Sequence, residues 1–593
     1  MSALLHAPCT EATAAVTPPP ATLTQVLLGY LQGPRAESTA GVVLVRERRG
    51  QRLSYPAMVR GALRVANGLR EVGLRRGDVV FIALPSREDH AAAFFGVMLA
   101  GGLPCCVPGP AAEAGPVSLS NHLLAAVHSL RPWAVIVGHP LQLTLAHDKR
   151  LHGHVLALED LMRAPPLDPA AVHPAQPDDV HHLQLTSGST GRPKAAALSH
   201  RAVLANLVLT ARAAGADVAQ SSGAIWLPLF HDMGLVSLLS AVFHNVDLVL
   251  QPPEDFIRHP MGWLQTISSH RATTSAAPTF ALAYCVRRYR PDLLHGVDLS
   301  HFRHLVVGAE RVDVKTLEAF VRTFEPHGFR GDMLLPSYGL AELVLAATVP
   351  NGQRRGTLGR NVWCARPRSG SRSGEVAAAV LSMGRPLPTT EVEVRNEQGG
   401  ALPAGEQGEV HIRSACLMQG YHGDAQATAA VLRDGWYATG DLGFMQDGEL
   451  FIVGRMKEVI ILRGRNYQPH EFEVCVAQHE QVEPGRVAAF GVPDHVLGSE
   501  RLVLAVEPAS YLGLEALRQS LQELLRAEFG FGATEICFVS RGGIPRTTSR
   551  KVQRSACAEQ YACGALPRTD TRPARAAPAA AAQVPGEAAV PAD

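Results

Sequence analysis

A chain of 593 residues, 46% hydrophobic and 18% charged, is too long for one ordinary domain and has the balance of a globular protein. Lys+Arg 55 against Asp+Glu 54 leaves a net charge of +1, which gives no reason to expect nucleic acid or an anionic membrane surface as partner. The ten cysteines form no C-x-x-C pair, no apolar run reaches the roughly 18 residues of a membrane span, and the first residues lack a basic segment leading into an apolar core. The expectation is a cytoplasmic chain without a membrane span, a disulfide framework or a zinc site.

In chain order, Ser54 is placed to cap a helix through Met58, Leu63, Val65 and Leu69, with Gly73 as its stop. Val79–Leu84 reads as a buried strand, Ala91–Ala100 as a helix closed by Gly101-Gly102, and Trp133–Val137 as another buried strand. The alternation continues through Asp247–Leu250 and Leu305–Val307, which predicts largely parallel sheets covered by helices. After about Gly384 the period changes to two, in Glu391-Val392-Glu393-Val394 and Glu409-Val410-His411-Ile412, as in a small antiparallel sheet or barrel. Beyond Gly454 a compact α+β segment follows, with strands at Val487–Val492 and Leu502–Val506 and an amphipathic helix from Leu514 to about Phe529.

The expected fold is α/β: a flexible N-terminus (1–24), a large domain of parallel-type α/β layers (25–454) whose end is a β subdomain (about 384–454), a small mobile α+β domain (455–563), and a disordered Ala/Pro-rich tail (564–593). An insertion at 350–382 holds Arg354, Arg355, Arg360, Arg366, Arg368 and Arg372 against one acid, Glu375. It reads as a solvated loop, or else as a contact surface for an acidic partner.

The most informative stretch is Thr186-Ser187-Gly188-Ser189-Thr190-Gly191-Arg192-Pro193-Lys194. Small hydroxylated residues alternate with glycines, so backbone N–H groups and several hydroxyls can converge on an anion, with Lys194 completing the cradle. Triphosphate binding needs this combination of many donors and little bulk. The P-loop pattern is not met, because Pro193 precedes the lysine and no Ser/Thr follows it. A Ser/Gly linker would lack the strand pattern before it (Leu183, Leu185) and the helix pattern after it (His200 to Thr210).

With that loop, four further motifs resemble those of the adenylate-forming superfamily of acyl-CoA synthetases, peptide-synthetase adenylation domains and luciferases, over about Leu23 to Ala562. They are Ser337-Tyr338-Gly339-Leu340-Ala341-Glu342, Tyr437-Ala438-Thr439-Gly440-Asp441, Gly454-Arg455-Met456-Lys457 and Ile544-Pro545-Arg546-Thr547-Thr548-Ser549-Arg550-Lys551. The resemblance implies that ATP and Mg²⁺ are bound. Ser337, Tyr338 and Gly339, with Gly308, Ala309 and Glu310, would take adenine, where an aromatic ring can stack. Asp441 and Arg455 would hold the ribose, whose two hydroxyls suit two carboxylate oxygens. Glu342 and Thr190 would serve Mg²⁺, which prefers hard oxygen ligands. Lys457 would be the hinge, and Lys551, with His231 and Glu342, would be catalytic. An ammonium at both the acyl carboxylate and the phosphate offsets charge that builds as two anions meet. Arg550 stands where the family usually has glycine.

Trp226-Leu227-Pro228-Leu229-Phe230-His231-Asp232-Met233-Gly234, Gly308-Ala309-Glu310-Arg311-Val312 and Arg463-Gly464-Arg465-Asn466-Tyr467-Gln468-Pro469 are similar to the fatty acyl-AMP ligase branch. That resemblance implies a fatty acid as substrate and the phosphopantetheine thiol of an acyl carrier protein as acceptor. The alternatives are an acyl-CoA synthetase and a catalytically silent acyl or nucleotide sensor. His147, His152 and His154 lack a second ligand pair and read as surface histidines, and Cys557 and Cys563 read as structural or exposed by chance.

Overall fold

The computed structural model describes residues 20–46, 49–85, 88–109, 121–145, 148, 150–151, 153–186, 193–350, 364–365, 380–462, 465–494, 499–547 and 551–570. Two compact units divide the chain: Met1–Val459 with Gly464–Gln468 and Arg546–Lys551, and Ile460–Arg463 with Pro469–Pro545 and Val552–Asp593. The break after Val459 falls five residues beyond the expected boundary at Gly454.

In the larger unit, one sheet runs Leu334–Pro336, His304–Val307, Thr274–Ala277, Gly223–Ile225, Leu248–Leu250, Gly41–Arg46, Arg49–Ser54. All its neighbours are parallel except the edge hairpin of the last two strands. A second sheet runs Gly420–Tyr421, Lys194–Ser199, Val180–Thr186, Leu103–Cys106, Val79–Ile82, Ala134–Val137, His154–Ala157. Its first three strands are successively antiparallel and the remaining pairings parallel. Strands buried on both faces explain the unbroken apolar runs of the sequence: Val80, Phe81 and Ile82 are all fully buried. Ser54 accepts from Ala57 N and caps the helix Tyr55–Glu71, as its position before the apolar stripe predicts. The period-two segments form Thr390–Arg395 and Gly408–Ser414, paired antiparallel and continued by Trp436–Gln446 and Glu449–Arg455.

The smaller unit has a sheet of Val482–Asp494, Ser499–Pro508 and Glu535–Phe538, with helices Pro469–Val476, Leu514–Phe529 and Arg554–Ala562. Among the described residues no helix is long and apolar enough to cross a membrane.

Both expected flexible ends are shorter than anticipated. Thr22 and Gln25 form a reciprocal capping box that starts the helix Leu23–Leu28, whose Leu23 and Leu27 are buried, so order begins before residue 24. At the other end Leu566 is buried, Arg568 pairs with Glu535, and Asp570 accepts from Arg518, so the chain packs as far as Asp570. Apolar burial and ion pairing outweigh the local Ala/Pro composition there. The remainder of the expected tail lies outside the described residues.

A buried histidine cluster ties the second sheet to the helix His200–Ala213. Nδ1 of His181 lies 2.7 Å from Nδ1 of His182, the rings of His181 and His200 are 4.8 Å apart, and His200 Nδ1 accepts from Leu23 N. Burial holds all three below the ordinary histidine value, His182 at about 3, and repulsion from a charged His200 adds to it at His181 and His182. Depressed values mean that the unfolded chain binds more protons below about pH 6.5. The stability contributed by the neutral trio is therefore complete above that pH and is lost as pH falls toward 3–4. Unfolding free energy should stay nearly level from about pH 7.5 to 6.5 and then drop toward pH 5 by on the order of 1 kcal/mol per histidine per pH unit. His182→Gln should flatten that slope in denaturant titrations; an unaltered slope would assign the acid lability elsewhere.

Candidate active site

Part of the candidate set lies where strands of the first sheet end at their carboxyl termini, the customary ligand edge of open α/β sheets. Gly308, Ala309 and Glu310 follow His304–Val307, Ser337 follows Leu334–Pro336, and His231 lies six residues past Gly223–Ile225. Ser337 N donates to Val307 O, and a Cβ at Gly308 would come within 2.7 Å of Ser337 O, so only glycine lets these segments meet. Ala309 has φ +65° and turns the chain into Glu310, whose Oε1 accepts from Phe280 N at 2.6 Å.

Tyr338 is buried and donates its hydroxyl to Asp441 Oδ2 at 2.6 Å, while Arg455 Nε donates to Asp441 Oδ1 at 2.9 Å. Asp441 and Arg455 face each other across the register of Trp436–Gln446 and Glu449–Arg455, so an antiparallel pairing places the carboxylate beside its cation. Burial, then the neighbouring carboxylate, pushes the Tyr338 phenol well up, which keeps it a donor. Thr439 Oγ1 donates to Val410 O and accepts from Asp441 N, and Gly440 N donates to Glu409, fixing the turn before Asp441. At Gly339 a Cβ would lie 1.7 Å from Leu345 O; the strand Tyr338–Gly339 and the segment after Glu342 touch backbone to backbone.

Glu342 is buried, and burial raises its carboxyl above the ordinary value against the opposing hydrogen bonds. Tyr421 donates its hydroxyl to Glu342 Oε1 at 2.9 Å, lies 3.4 Å from the Tyr437 hydroxyl, and presents its ring to Lys194 Nζ, 4.8 Å from the ring centroid. Tyr421 thus joins Lys194 to Glu342, and the Arg455 charge reaches the same carboxyl. Five separated segments of sequence therefore form one connected group.

The turn after Glu342 is strained, since Val344, a β-branched residue, has φ +69°. It is held by Asn206, fully buried on His200–Ala213, whose amide donates to Leu343 O and Ala346 O and accepts from Ala346 N. Asn206→Ala withdraws these three bonds from a dry turn and should cost about 2–4 kcal/mol in urea denaturation. A loss below about 1 kcal/mol would show that the turn holds itself.

His231 Nδ1 lies 2.5 Å from Asp232 Oδ1, and Asp232 also accepts from Met233 N at the start of Asp232–His244. Burial works to raise the Asp232 carboxyl, but the His231 charge and hydrogen bond, the Lys551 charge and the Met233 N–H outweigh it and hold it at about 2. Lys551, within the larger unit, is anchored by two reciprocal bonds: Lys551 N to Thr547 Oγ1 and Thr547 N to Lys551 O. Lys457 stands apart from this group, in the turn Met456–Glu458 just ahead of the break between units. Thr186 and Lys194 pair across the antiparallel strands flanking the phosphate-loop segment, whereas Ser187, Gly188, Ser189, Thr190 and Gly191, like Arg550, lie outside the described residues. No local pattern marks Tyr421 or Asn206, which reach Glu342 and its turn from 79 and 137 residues away.

The description of the AMP-binding enzyme family matches residues 34–422. A Caulobacter vibrioides protein with the provisional name acyl-CoA synthetase is 32% identical over 92% of this chain and 96% of its own. A Mycobacterium marinum long-chain-fatty-acid–AMP ligase is 30% identical over 87% of this chain and 93% of its own. Among solved structures, one from a study of fatty acyl-adenylate ligases of E. coli and L. pneumophila superposes with a TM-score of 0.81 at 28% identity, covering 92% of this chain and 98% of that one.

Proposed function

This chain belongs to the AMP-binding enzyme family, and from that premise we propose that it activates a fatty acid with ATP to fatty acyl-AMP and then loads an acyl carrier protein. The observation that carries the reading is the connected group Lys194–Tyr421–Glu342 and Tyr338–Asp441–Arg455, which brings a cation, a buried carboxylate and a hydrogen-bonding carboxylate together.

In the first step a carboxylate oxygen of the acid attacks the α-phosphorus of ATP, and the bond to the β-bridging oxygen breaks, releasing pyrophosphate. In the second the carrier's phosphopantetheine sulfur gives up its proton and attacks the acyl carbon, and AMP leaves. Lys551 lies against the acyl carboxylate and the α-phosphate and offsets the charge that builds there. His231, oriented by Asp232, borders the acyl carboxylate. Lys194 and the segment Thr186–Gly191 take the β- and γ-phosphates. Asp441 and Arg455 hold the ribose, and Gly308, Ala309, Glu310, Ser337, Tyr338 and Gly339 frame the adenine. Lys457 is the hinge on which the smaller unit turns between the two steps. Glu342 fits a cation: its donor is a hard oxygen, and burial disfavours its charge unless a positive group stands nearby. Mg²⁺ held there with Thr190 would neutralise phosphate charge. The cytoplasm is the compartment this reading assigns.

The Arg-rich segment, apart from Pro350, Cys364–Ala365 and residues 380–382, lies outside the described residues; its proposed part in partner choice rests on charge alone. A second reading, acyl-CoA synthetase, is favoured by the name of the Caulobacter relative. Adenylation itself is tested without any thiol: enzyme, ATP, Mg²⁺ and a ladder of fatty acids should release pyrophosphate and accumulate acyl-AMP, seen by mass. Absence of both would favour the silent sensor.

A further inference from the structure

Three buried side-chain atoms without a hydrogen-bond partner among the described residues sit around neighbouring strand ends of the first sheet. They are Trp226 Nε1, Gln251 Oε1 and Thr279 Oγ1, in residues only 4%, 7% and 7% exposed. Trp226 follows Gly223–Ile225 directly, Gln251 follows Leu248–Leu250 directly, and Thr279 stands two residues past Thr274–Ala277; the three strands are consecutive in the sheet. Gln251 N donates to Ile225 O, which keeps the first two ends in register.

The surroundings are aromatic. Phe256 stacks on Trp226 with centroids 3.8 Å apart, Phe280 stands edge-on to Trp226 at 6.2 Å, and Trp263 is edge-on to Phe256 at 6.0 Å. A Cβ at Gly262, beside Trp263, would lie 3.4 Å from Gln251 Nε2, so the Gln251 amide belongs to the same cluster. Trp263 shows what satisfaction looks like in this environment: its own Nε1 donates to Ser275 Oγ at 3.1 Å. Trp226 has no such acceptor among the described residues.

Dry polar atoms left unpaired are few in native proteins, and each calls for a partner from elsewhere. At the ligand edge of the sheet, with Trp226 five residues before His231 in the chain, a group on the acyl substrate can be that partner. An indole N–H needs an acceptor and an amide oxygen needs a donor, while the Thr279 hydroxyl takes either role. A methylene supplies neither, and a ketone or ether supplies only the acceptor. A hydroxyl supplies both, and it serves the Gln251 amide in either orientation of its oxygen and nitrogen. We propose that the acyl site selects acids that carry a hydroxyl on the chain, recognised by Trp226, Gln251 and Thr279 within the aromatic cluster. This specificity rests on the fatty-acid activation proposed above.

The test uses the full chain with matched acids that differ only by a hydroxyl, placed at carbon 3, mid-chain, the ω end or the para position of a terminal phenyl. Acyl-AMP formation is followed by pyrophosphate release. At least one hydroxylated acid should exceed its deoxy partner in kcat/KM by about tenfold or more, as expected where buried polar groups are built to pair with a substrate hydroxyl. Trp226→Phe, which keeps the ring, and Gln251→Leu should each bring that ratio toward one. The ratio is internal to each variant, so partial loss of folded protein does not alter it. Deoxy acids that match or surpass their partners at every position would overturn the proposal and assign the three atoms to bound water. An unchanged ratio in both variants would overturn it equally. Pyrophosphate release with neither series would overturn fatty-acid activation itself.

Discussion

Lys551→Ala is expected to lower the rate of acyl-AMP formation by roughly 10²–10³, by analogy with the loss of a donor that stabilises charge in a transition state. Transfer of the acyl group from supplied acyl-AMP to the carrier thiol should fall far less if, as proposed, the lysine serves only the step in which carboxylate and phosphate meet. The structure supplies the setting: the Lys551 charge already helps to hold the buried Asp232 carboxyl at about 2, so its ammonium acts beside the His231–Asp232 pair. Comparing pyrophosphate release with single-turnover transfer separates the two steps. Near wild-type adenylation would remove Lys551 from its role, and an equal loss in both steps would argue that the lysine serves the whole site.

Asp441→Ala should act mainly on ATP. It removes charge-assisted hydrogen bonds worth on the order of 1.5–3 kcal/mol each, which corresponds to a rise in the KM for ATP of roughly ten- to a hundredfold. Its two oxygens already accept from Tyr338 and Arg455, one each, and every carboxylate oxygen has a second lone pair left for a ribose hydroxyl. The substitution also strips the buried Tyr338 hydroxyl of its acceptor, so Asp441→Asn, which keeps an acceptor, separates loss of charge from loss of packing. The KM for fatty acid should move much less than that for ATP. An unaltered KM for ATP in both variants would overturn the ribose assignment.

Much of this arrangement was legible before any coordinates. Ser54 before an apolar stripe marked a helix start, and the change of period at Glu391–Val394 marked the antiparallel sheet, because both signals depend on neighbours close in sequence. The order of the motifs brought Tyr338, Asp441 and Arg455 to attention, although no single motif shows that one carboxylate is shared between a phenol and a guanidinium. Tyr421, Asn206 and Val344 were not legible. The first two act across long separations, and the positive φ of Val344 runs against the preference of a β-branched residue, since tertiary bonds from Asn206 override local propensity. The packing of Leu566 and Arg568 was missed for the same reason: Ala/Pro-rich composition says nothing of a distant Glu535.

The most direct measurement offers the enzyme, with ATP, Mg²⁺ and a fatty-acid ladder, both free CoA and a phosphopantetheinylated carrier protein in one mixture, and identifies every acylated product by mass. Acylated carrier, formed with one pyrophosphate per acyl group and without acyl-CoA, is the predicted result. Acyl-CoA as the sole product, with the carrier left unmodified, would contradict it.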